Sequence, residues 1–346
     1  MVILEWDKHI FKSTKGINMK KTMTIMAIVV SLSACTSDDH DHGQGSNHTH
    51  ETETSVKDIT NLIFTSTASN CAEYANEYKS ISKDINENSV YSGSLKISLE
   101  GDKCIFTTNA IPNHDFNDAD KSFHNKVSEQ DITYTIPQSP VVSSKVTKLG
   151  LRTDNAIFLN GVKLDVMAAG CFGIGRGFIG CGDDGQPFRY DPMSKLNSFG
   201  VDSHNAHTQP DGTYHYHGNP LAMFSENSTV ASPLIGFAAD GFPIYGSYFD
   251  ENGTIRKAKS SYVFKDNGGP RVDITYKGKT YSPGGVYDGK YIDDFVYSAS
   301  SGGDLDQCNG MTVNGKYAYY VTDTYPWVLN CFTGTPDSSF NKKRRR

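Results

Sequence analysis

The sequence lacks the features that mark several common protein classes. It has no excess of basic residues, because 33 Lys and Arg stand against 39 Asp and Glu, for a formal net charge of -6 at pH 7. This balance argues against a nucleic-acid-binding protein, which needs a positively charged surface. The chain also has no Cys-x-x-Cys, His-Glu-x-x-His or Gly-x-Ser-x-Gly segment. The motifs that identify thiolate zinc sites, zinc proteases and serine hydrolases are therefore absent.

Apolar residues with helical periodicity are also scarce. The best candidate for a helix is residues 72–85, where the periodicity is modest. The chain is rich in Tyr, Phe and Gly, with 19, 18 and 32 residues, and aromatic residues favour strands. Alternating or apolar segments recur between turn residues, at 94–99, 103–108, 131–136, 156–164, 234–239 and 316–322. Many short strands predict a mainly β protein, a single disulfide-braced β-sandwich or barrel-like domain with long loops.

The N-terminal apolar run, Met23–Val30, is far too short for a permanent membrane-spanning helix of about 20 residues. It follows the basic start Met19–Lys21 and precedes Leu32–Cys35, which resembles a bacterial lipobox. This arrangement predicts a lipoprotein signal peptide over residues 19–34 and lipidation of Cys35. We therefore expect an acyl anchor on Cys35 that holds the protein to the lipid bilayer of a bacterial cell envelope, periplasmic or surface-facing.

Composition suggests the remaining boundaries. Residues 1–18 fit no signal pattern and form a doubtful extension: either translation starts at Met19, or the n-region is long and basic. Residues 35–58 are polar and rich in His and Asp, which predicts a flexible tether. Four of the 11 histidines lie there, either as metal ligands or as incidental spacer residues. A single β domain is expected over 59–336, followed by an exposed basic tail over 337–346 that is either solvated or an electrostatic contact.

Six cysteines remain once the predicted lipidation site is set aside, and an even number in an exported protein predicts disulfides. We expect pairs between sequence neighbours: Cys71–Cys104, Cys171–Cys181 and Cys308–Cys331. The segment Gly175–Gly180 matches Gly-x-Gly-x-x-Gly, but it lacks the strand–turn–helix context of a dinucleotide site. We interpret it as a glycine loop closed by a disulfide.

Three histidines are the most informative side chains of this sequence. His215 and His217 alternate with tyrosines in Tyr-His-Tyr-His, so both imidazoles project from one face of an extended strand. His207 precedes Pro210–Gly212, a strong turn signal that would bring it alongside them. Three neutral imidazoles on one hairpin predict a transition-metal site for zinc or copper. A hydrogen-bonded structural cluster and metal-free acid–base chemistry are the alternatives.

One part of the sequence is echoed later in the chain. Residues 211–217 are similar to residues 314–320, and an acidic residue precedes each segment, Asp202 in the first and Asp306 in the second. The second segment contains no histidine. Either the chain contains a duplication in which only the first copy kept ligands, or turn–strand patterns repeat by chance.

The chain resembles the bacterial YHYH-domain proteins, a family named after the tetrapeptide at residues 214–217. The resemblance covers about residues 60–336 and rests on several blocks in a fixed order. They are Ala110–His114, Phe158–Val162, Tyr214–His217, Leu234–Gly246, and Leu305–Gly310 through Tyr317–Pro326. Members of this family are mostly exported or surface proteins and are essentially uncharacterised. The resemblance therefore implies a boundary and a set of residues but no reaction.

The resemblance also adds candidate ligands. The family pattern has a histidine before the turn, here His207, and one in the Ile-Pro-Asn-His block, here His114. Other members usually have Cys in an Asp-x-Cys segment where this chain has His204, which is either a further ligand or the mark of a lost disulfide partner. The candidate metal ligands are therefore His207, His215, His217 and His114, with His204 left open.

Three functions are compatible with these residues. The first is a lipid-anchored cell-envelope protein that binds zinc or copper through the histidine cluster. The second is a metal-dependent hydrolase with Asp240 or Asp323 as general base, although Asp240 also suits a turn carboxylate or a partner of a ligand histidine. The third is a surface module that binds a glycan or a protein through aromatic side chains. Candidate aromatics are Tyr245, Tyr248, Tyr281, Tyr287, Tyr291, Tyr325 and Trp327.

Overall fold

The computed structural model of this protein describes residues 55–227 and 229–342. The expectations for the N-terminal extension, the signal peptide and Cys35 concern residues outside these ranges. So do those for residues 35–54 of the tether and for the tail beyond Lys342. Within the described ranges, no helix has the length and apolar character needed to cross a membrane.

Short strands dominate the structure, which confirms the mainly β class expected from the scarce helical periodicity. The described residues form 21 strands: β1 (Lys57–Asp58), β2 (Asn76–Asp84), β3 (Ser89–Glu100), β4 (Lys103–Thr108), β5 (Ile132–Pro137), β6 (Thr147–Lys148), β7 (Ala156–Phe158), β8 (Lys163–Leu164), β9 (Ala206–Thr208), β10 (Tyr214–Tyr216), β11 (Leu234–Ala238), β12 (Pro243–Tyr245), β13 (Tyr248–Glu251), β14 (Thr254–Lys257), β15 (Tyr262–Phe264), β16 (Ile274–Tyr276), β17 (Lys279–Tyr281), β18 (Phe295–Tyr297), β19 (Gly310–Val313), β20 (Lys316–Tyr320) and β21 (Cys331–Phe332). They also form four short 3-10 helices: Cys71–Tyr74, Lys265–Gly268, Ile292–Asp294 and Ser338–Phe340.

The best candidate for a helix, residues 72–85, folds instead as a 3-10 turn followed by β2. The buried positions of β2 are polar, Ser80, Ser82 and Asp84, whereas Ile81 is 58% exposed. Buried and exposed side chains alternate with the period of a strand, but here the polar side chains are buried and the apolar Ile81 is exposed. Hydrophobic patterning therefore gave no strand signal in this segment.

The smaller sheet has five strands in the order β1-β2-β3-β4-β5. Strands β2 to β5 form an antiparallel meander, and β1 pairs with β2 in parallel. Ile97, Phe106 and Tyr134 lie opposite one another on β3, β4 and β5, and all three are buried. This row of large cross-strand neighbours supplies the sheet's part of the core.

The larger sheet is mixed and has eight strands in the order β19-β20-β12-β11-β7-β8-β10-β9. Most of its buried side chains belong to the same core as those of the smaller sheet, whereas Ala318 and Tyr320 of β20 join a smaller second cluster. Phe237 on β11 packs against Phe106 on β4, with ring centroids 6.0 Å apart. Both strand orders are open-ended, so the described residues form a sandwich-like arrangement around one core rather than a closed barrel.

The larger sheet consists of two halves with the same pairing pattern. The first half-sheet comprises β7, β8, β9 and β10, and the second comprises β11, β12, β19 and β20. In the first half, β8 pairs in parallel with β10, and β9 pairs with β10 in antiparallel at the edge. In the second half, β12 pairs in parallel with β20, and β19 pairs with β20 in antiparallel at the edge. The halves meet at the antiparallel pair β7–β11. The similar segments 211–217 and 314–320 thus lie at equivalent positions.

One expected strand is in fact the first hairpin of the larger sheet. Residues 156–164 form β7 and β8 with a reversal between them, instead of one continuous strand. Gly161 adopts a φ of 82° at this reversal, a conformation that glycine reaches without strain. Because Gly161 lies within an apolar run, the sequence pattern gave no indication of the turn.

The disulfides are the three pairs expected from sequence proximity: Cys71–Cys104, Cys171–Cys181 and Cys308–Cys331. Cys171–Cys181 closes the glycine-rich loop. The buried guanidinium of Arg189 holds the ends of this loop by donating hydrogen bonds to the carbonyls of Ala168 and Asp183. Three disulfides are typical of extracellular or periplasmic proteins.

The packed part of the chain extends past residue 336. Phe340 is fully buried and stacks on Tyr134 with ring centroids 4.4 Å apart, and Lys342 forms an ion pair with Asp165. The sequence favoured an exposed tail from residue 337, whereas residues 337–342 belong to the folded unit. The single large apolar residue Phe340 is what anchors them.

Candidate metal centre

The turn at Pro210–Gly212 forms the expected hairpin of β9 and β10. The amide of Gly212 donates to the carbonyl of Gln209 at 2.9 Å, and Gly212 has a φ of 83°. A side chain there would also collide with Ser128, because a Cβ would lie 2.2 Å from its Oγ. The reversal places His207 directly opposite His215 in the register.

The imidazoles of His207, His215 and His217 converge. Their Nε2 atoms lie 3.1 Å apart between His215 and His217, and 3.0 Å apart between His217 and His207. Bonds of about 2.0–2.1 Å to one tetrahedral ion separate two ligand nitrogens by roughly 3.3 Å. Nε2 of His217 therefore stands within a few tenths of an ångström of the required spacing from each of the other two nitrogens. The ligand atoms of all three residues lie within 4.8 Å of one another and form a group that can hold an ion.

Hydrogen bonds orient two of these rings. Nδ1 of His207 lies 2.9 Å from the carbonyl oxygen of Phe199, and Nδ1 of His215 lies 3.4 Å from that of Thr213. A carbonyl only accepts, so each Nδ1 carries the proton and each Nε2 presents a lone pair, as in metal-ligating histidines. Nε2 of His217 lies 3.1 and 3.0 Å from these two nitrogens, where it can either donate a proton to one of them or share a cation with both.

Burial keeps the cluster neutral. Desolvation, with smaller contributions from neighbouring imidazoles and lysines, lowers the pKa of His215 and His217 well below 6.5. Burial also lowers the pKa of His207, and its hydrogen bond to Phe199 opposes that shift. All three rings are therefore neutral at pH 7, which is the state in which imidazole binds metals.

A charged network that sequence reasoning missed borders the cluster. Lys163 on β8 lies opposite His215, and its Nζ is 2.8 Å from Asp154 Oδ1. Lys342 pairs with Asp165 in the same network. The two lysines and two aspartates carry no net charge together, although both lysines contribute to lowering the pKa of His215 and His217. The sequence offered one indication of this network: Lys163 stands between the apolar residues Val162 and Leu164 in a predicted strand.

The other two candidate ligands, His114 and His204, lie apart from the cluster. Nε2 of His114 contacts the hydroxyl of Tyr216 at 2.5 Å, and its ring centroid is 4.0 Å from that of His204. Tyr216 lies between His215 and His217 in the extended chain at the end of β10, so its side chain projects from the opposite face. His114 and His204 are therefore separated from the three converging histidines by the sheet itself.

The second half-sheet explains the position of His204. The segment Asp306–Asn309 occupies the same place before β19 that residues 202–205 occupy before β9. Its third residue, Cys308, forms a disulfide with Cys331, whereas His204 faces His114. Of the two alternatives for His204, this correspondence favours replacement of a disulfide partner over an added ligand.

The candidate bases make no contact with a cluster histidine among the described residues. Asp240 accepts hydrogen bonds from the hydroxyl of Tyr319 at 2.7 Å and the amide of Gly334 at 2.9 Å, and burial raises the pKa of its carboxyl. It borders a cavity of about 340 Å³ that none of the three histidines lines. Asp323 forms an ion pair with Lys257 at 2.8 Å. Asp240 thus holds the second half-sheet together in its turn role.

Comparison with known proteins identifies a matching family. A family model described as YHYH protein matches residues 133–334, which is more than half of the chain. The match includes the converging histidines and begins after the Ala110–His114 block. No curated protein and no solved structure matches this chain.

Proposed function

The chain belongs to the YHYH protein family, and on that premise we propose that it binds one zinc or copper(II) ion through His207, His215 and His217. The observation that carries this proposal is the convergence of three imidazoles, with Nε2 of His217 at 3.1 Å from that of His215 and 3.0 Å from that of His207. Neutral imidazoles suit these two metals. Calcium and magnesium require oxygen ligands instead.

Burial favours stable binding over turnover of a large substrate. His215 and His217 are only 2% and 3% exposed, and the half-buried His207 provides the accessible side. Three histidines leave a fourth position for water or a small ligand. The alternative of a metal-dependent hydrolase rests on that open position alone, because neither Asp240 nor Asp323 contacts a cluster histidine among the described residues.

We further propose that the protein is lipid-anchored through Cys35 and faces the periplasm or the cell exterior. The support is the lipobox-like segment Leu32–Cys35 together with three disulfides, which form in oxidising compartments. Cells fed a radiolabelled fatty acid should label the protein, and Cys35→Ser should abolish the label. Equal labelling of the variant would contradict the anchor.

Metal content of the full chain tests the site. The protein, purified without a histidine tag, is loaded with zinc or copper, desalted and analysed by mass spectrometry. We expect His215→Ala/His217→Ala to hold one equivalent less than the parent, because a single remaining imidazole binds weakly.

A matched control separates the site from the tether. Replacing His40, His42, His48 and His50 by Ala should leave that one-equivalent difference intact. Equal metal content in the parent and the double variant would sink the proposal, provided that circular dichroism shows both to be folded.

A further inference from the structure

A groove of about 630 Å³ lies beside the histidine cluster. Its lining includes residues of the segment 191–201, residues of the segment 323–327, and Phe264 and Phe295. These segments are more than 120 residues apart in the chain, so the groove exists only in the folded protein.

Two direct contacts connect the groove to the metal centre. Phe199, which lines the groove, accepts the hydrogen bond from Nδ1 of His207. Asn205, another lining residue, accepts a hydrogen bond from the amide of His217 at 2.9 Å. A ligand in the groove would therefore lie one residue away from the metal ligands.

Aromatic rings form a continuous wall on one side of the groove. Phe295 and Tyr325 stack with centroids 4.5 Å apart and planes at 4°, and Phe264 packs on Phe295 at 5.1 Å. Phe264 is nevertheless 42% exposed. A large apolar ring that adjoins a groove and faces solvent is typical of a binding site.

A polar contact holds another aromatic residue of the lining, Trp327. The indole Nε1 of Trp327 donates to both carboxylate oxygens of Asp191 at 3.1 and 3.2 Å. Asp191 is 1% exposed and also accepts a hydrogen bond from the amide of Met193. These bonds fix the orientation of the indole before any ligand arrives, which reduces the entropic cost of binding.

We propose that this groove binds a neutral oligosaccharide. A sugar ring has an apolar C–H face that packs on aromatic rings and a hydroxyl edge that suits carboxylate and amide groups. The lining combines these two chemistries, with Phe199, Phe264 and Trp327 for the faces, and Asn197, Asp288 and Asp323 for the hydroxyls. Asp288 and Asp323 are already paired with Arg271 and Lys257, so the groove presents no cluster of unpaired cations that would attract an anionic ligand.

Tryptophan fluorescence reads the groove directly. The chain has two tryptophans, Trp6 and Trp327, so Trp6→Phe leaves only the one in the groove. Titrating this full-length variant with an N-acetylglucosamine hexamer or with cellohexaose should produce a saturable change in emission. Oligogalacturonate, an anionic oligosaccharide, should produce none. No saturable change with either neutral oligosaccharide overturns the proposal.

Variants of the same protein test the location. Phe264→Ala should weaken binding roughly tenfold, since an aromatic contact contributes about 0.5–1.5 kcal/mol beyond its buried area. Tyr297→Ala removes a ring of similar exposure, 37%, that does not line the groove, and should leave the affinity unchanged. Equal affinities in all three proteins would place the saccharide elsewhere.

This proposal does not depend on a bound metal. The titration is repeated on His215→Ala/His217→Ala and on the parent treated with a chelator. We expect saccharide binding to persist in both, because the aromatic wall and Asp191 belong to other segments. Failure of metal binding and failure of saccharide binding therefore remain separate results.

Discussion

The two halves of the larger sheet share one backbone pattern but carry different chemistry. His215 lies opposite His207 in the first half-sheet, and Ala318 lies opposite Met311 at the equivalent place in the second. The second set packs with Phe249 in a small apolar cluster. The same strand pairing therefore accommodates either a metal centre or an ordinary core, so the fold itself does not require the histidines.

What the halves share identifies the structural residues. In each half, the central strand, β10 or β20, contributes two tyrosines. The first tyrosine hydrogen-bonds to an aspartate that precedes the edge strand, β9 or β19. The second hydrogen-bonds to a polar residue in the hairpin turn. The four contacts are Tyr214 to Asp202 at 2.8 Å, Tyr317 to Asp306 at 2.9 Å, Tyr216 with Asn160 at 2.9 Å, and Tyr319 to Asp240 at 2.7 Å. The tyrosines of Tyr-His-Tyr-His thus maintain the fold, and its histidines are free for a function.

The largest predicted difference between the halves is their response to metal. Zinc or copper should raise the free energy of unfolding by about 4 kcal/mol at a free concentration of 1,000 times the Kd, because only the folded protein presents the converged ligands. Thermal unfolding with and without metal measures this gain. We expect His215→Ala to remove the gain.

Met311→Ala in the second half-sheet is the control for that prediction. It should lower stability equally with and without metal, because no ligand lies near it in the apolar cluster. A metal response that survived His215→Ala but disappeared in Met311→Ala would reverse our assignment of the two halves.

The next predicted difference is the loss of stability when the Cys308–Cys331 disulfide of the second half or the His204–His114 contact of the first half is removed. Cys308→Ser/Cys331→Ser opens a link over 23 residues, and chain entropy predicts a loss of about 3 kcal/mol. His204→Ala leaves a smaller defect beside His114 and should cost about 1–2 kcal/mol. Urea unfolding of the metal-free proteins compares the two.

Repeating the unfolding of His204→Ala in the presence of zinc tests whether His204 is a metal ligand. The cost of His204→Ala should be the same with and without zinc, since the ring lies on the opposite face from the cluster. A larger cost in zinc would show that His204 is a ligand after all.

A further predicted difference is pH dependence, which arises in the first half of the molecule. Burial lowers the pKa of His114 to about 3, against about 6.5 in an unfolded chain. Below pH 6.5 the unfolded state therefore binds a proton that the folded state excludes, and stability falls by about 1.4 kcal/mol per pH unit until pH 3. His207, His215 and His217, whose pKa values are also lowered, add slope in the same direction.

Unfolding of the metal-free protein between pH 7 and pH 4 tests this sign. His114→Gln should flatten the profile by about the slope of one histidine, whereas substitution of the exposed His124 should leave it unchanged. Stability that rose on acidification would contradict the burial of these rings.

Local sequence rules predicted part of this protein well. The cluster of His207, His215 and His217 follows from the period of two in a strand and from one turn, which act over about ten residues. The disulfide pairs and most strands of the smaller sheet are equally local. The rules were wrong for residues 72–85, where buried serines replace the expected apolar side chains. They were also wrong for residues 156–164, where Gly161 reverses the chain.

Sequence by itself therefore determined the class of the fold, the disulfides and three converging histidines, because strand period, turn chemistry and proximity are properties of neighbouring residues. Tertiary structure alone decided that His114, 102 residues from Tyr216, joins the opposite face of the sheet. It also decided that residues 191–201 and 323–327 enclose a groove. Contacts over such separations are set by how two sheets bury a common core, and no local pattern encodes that packing.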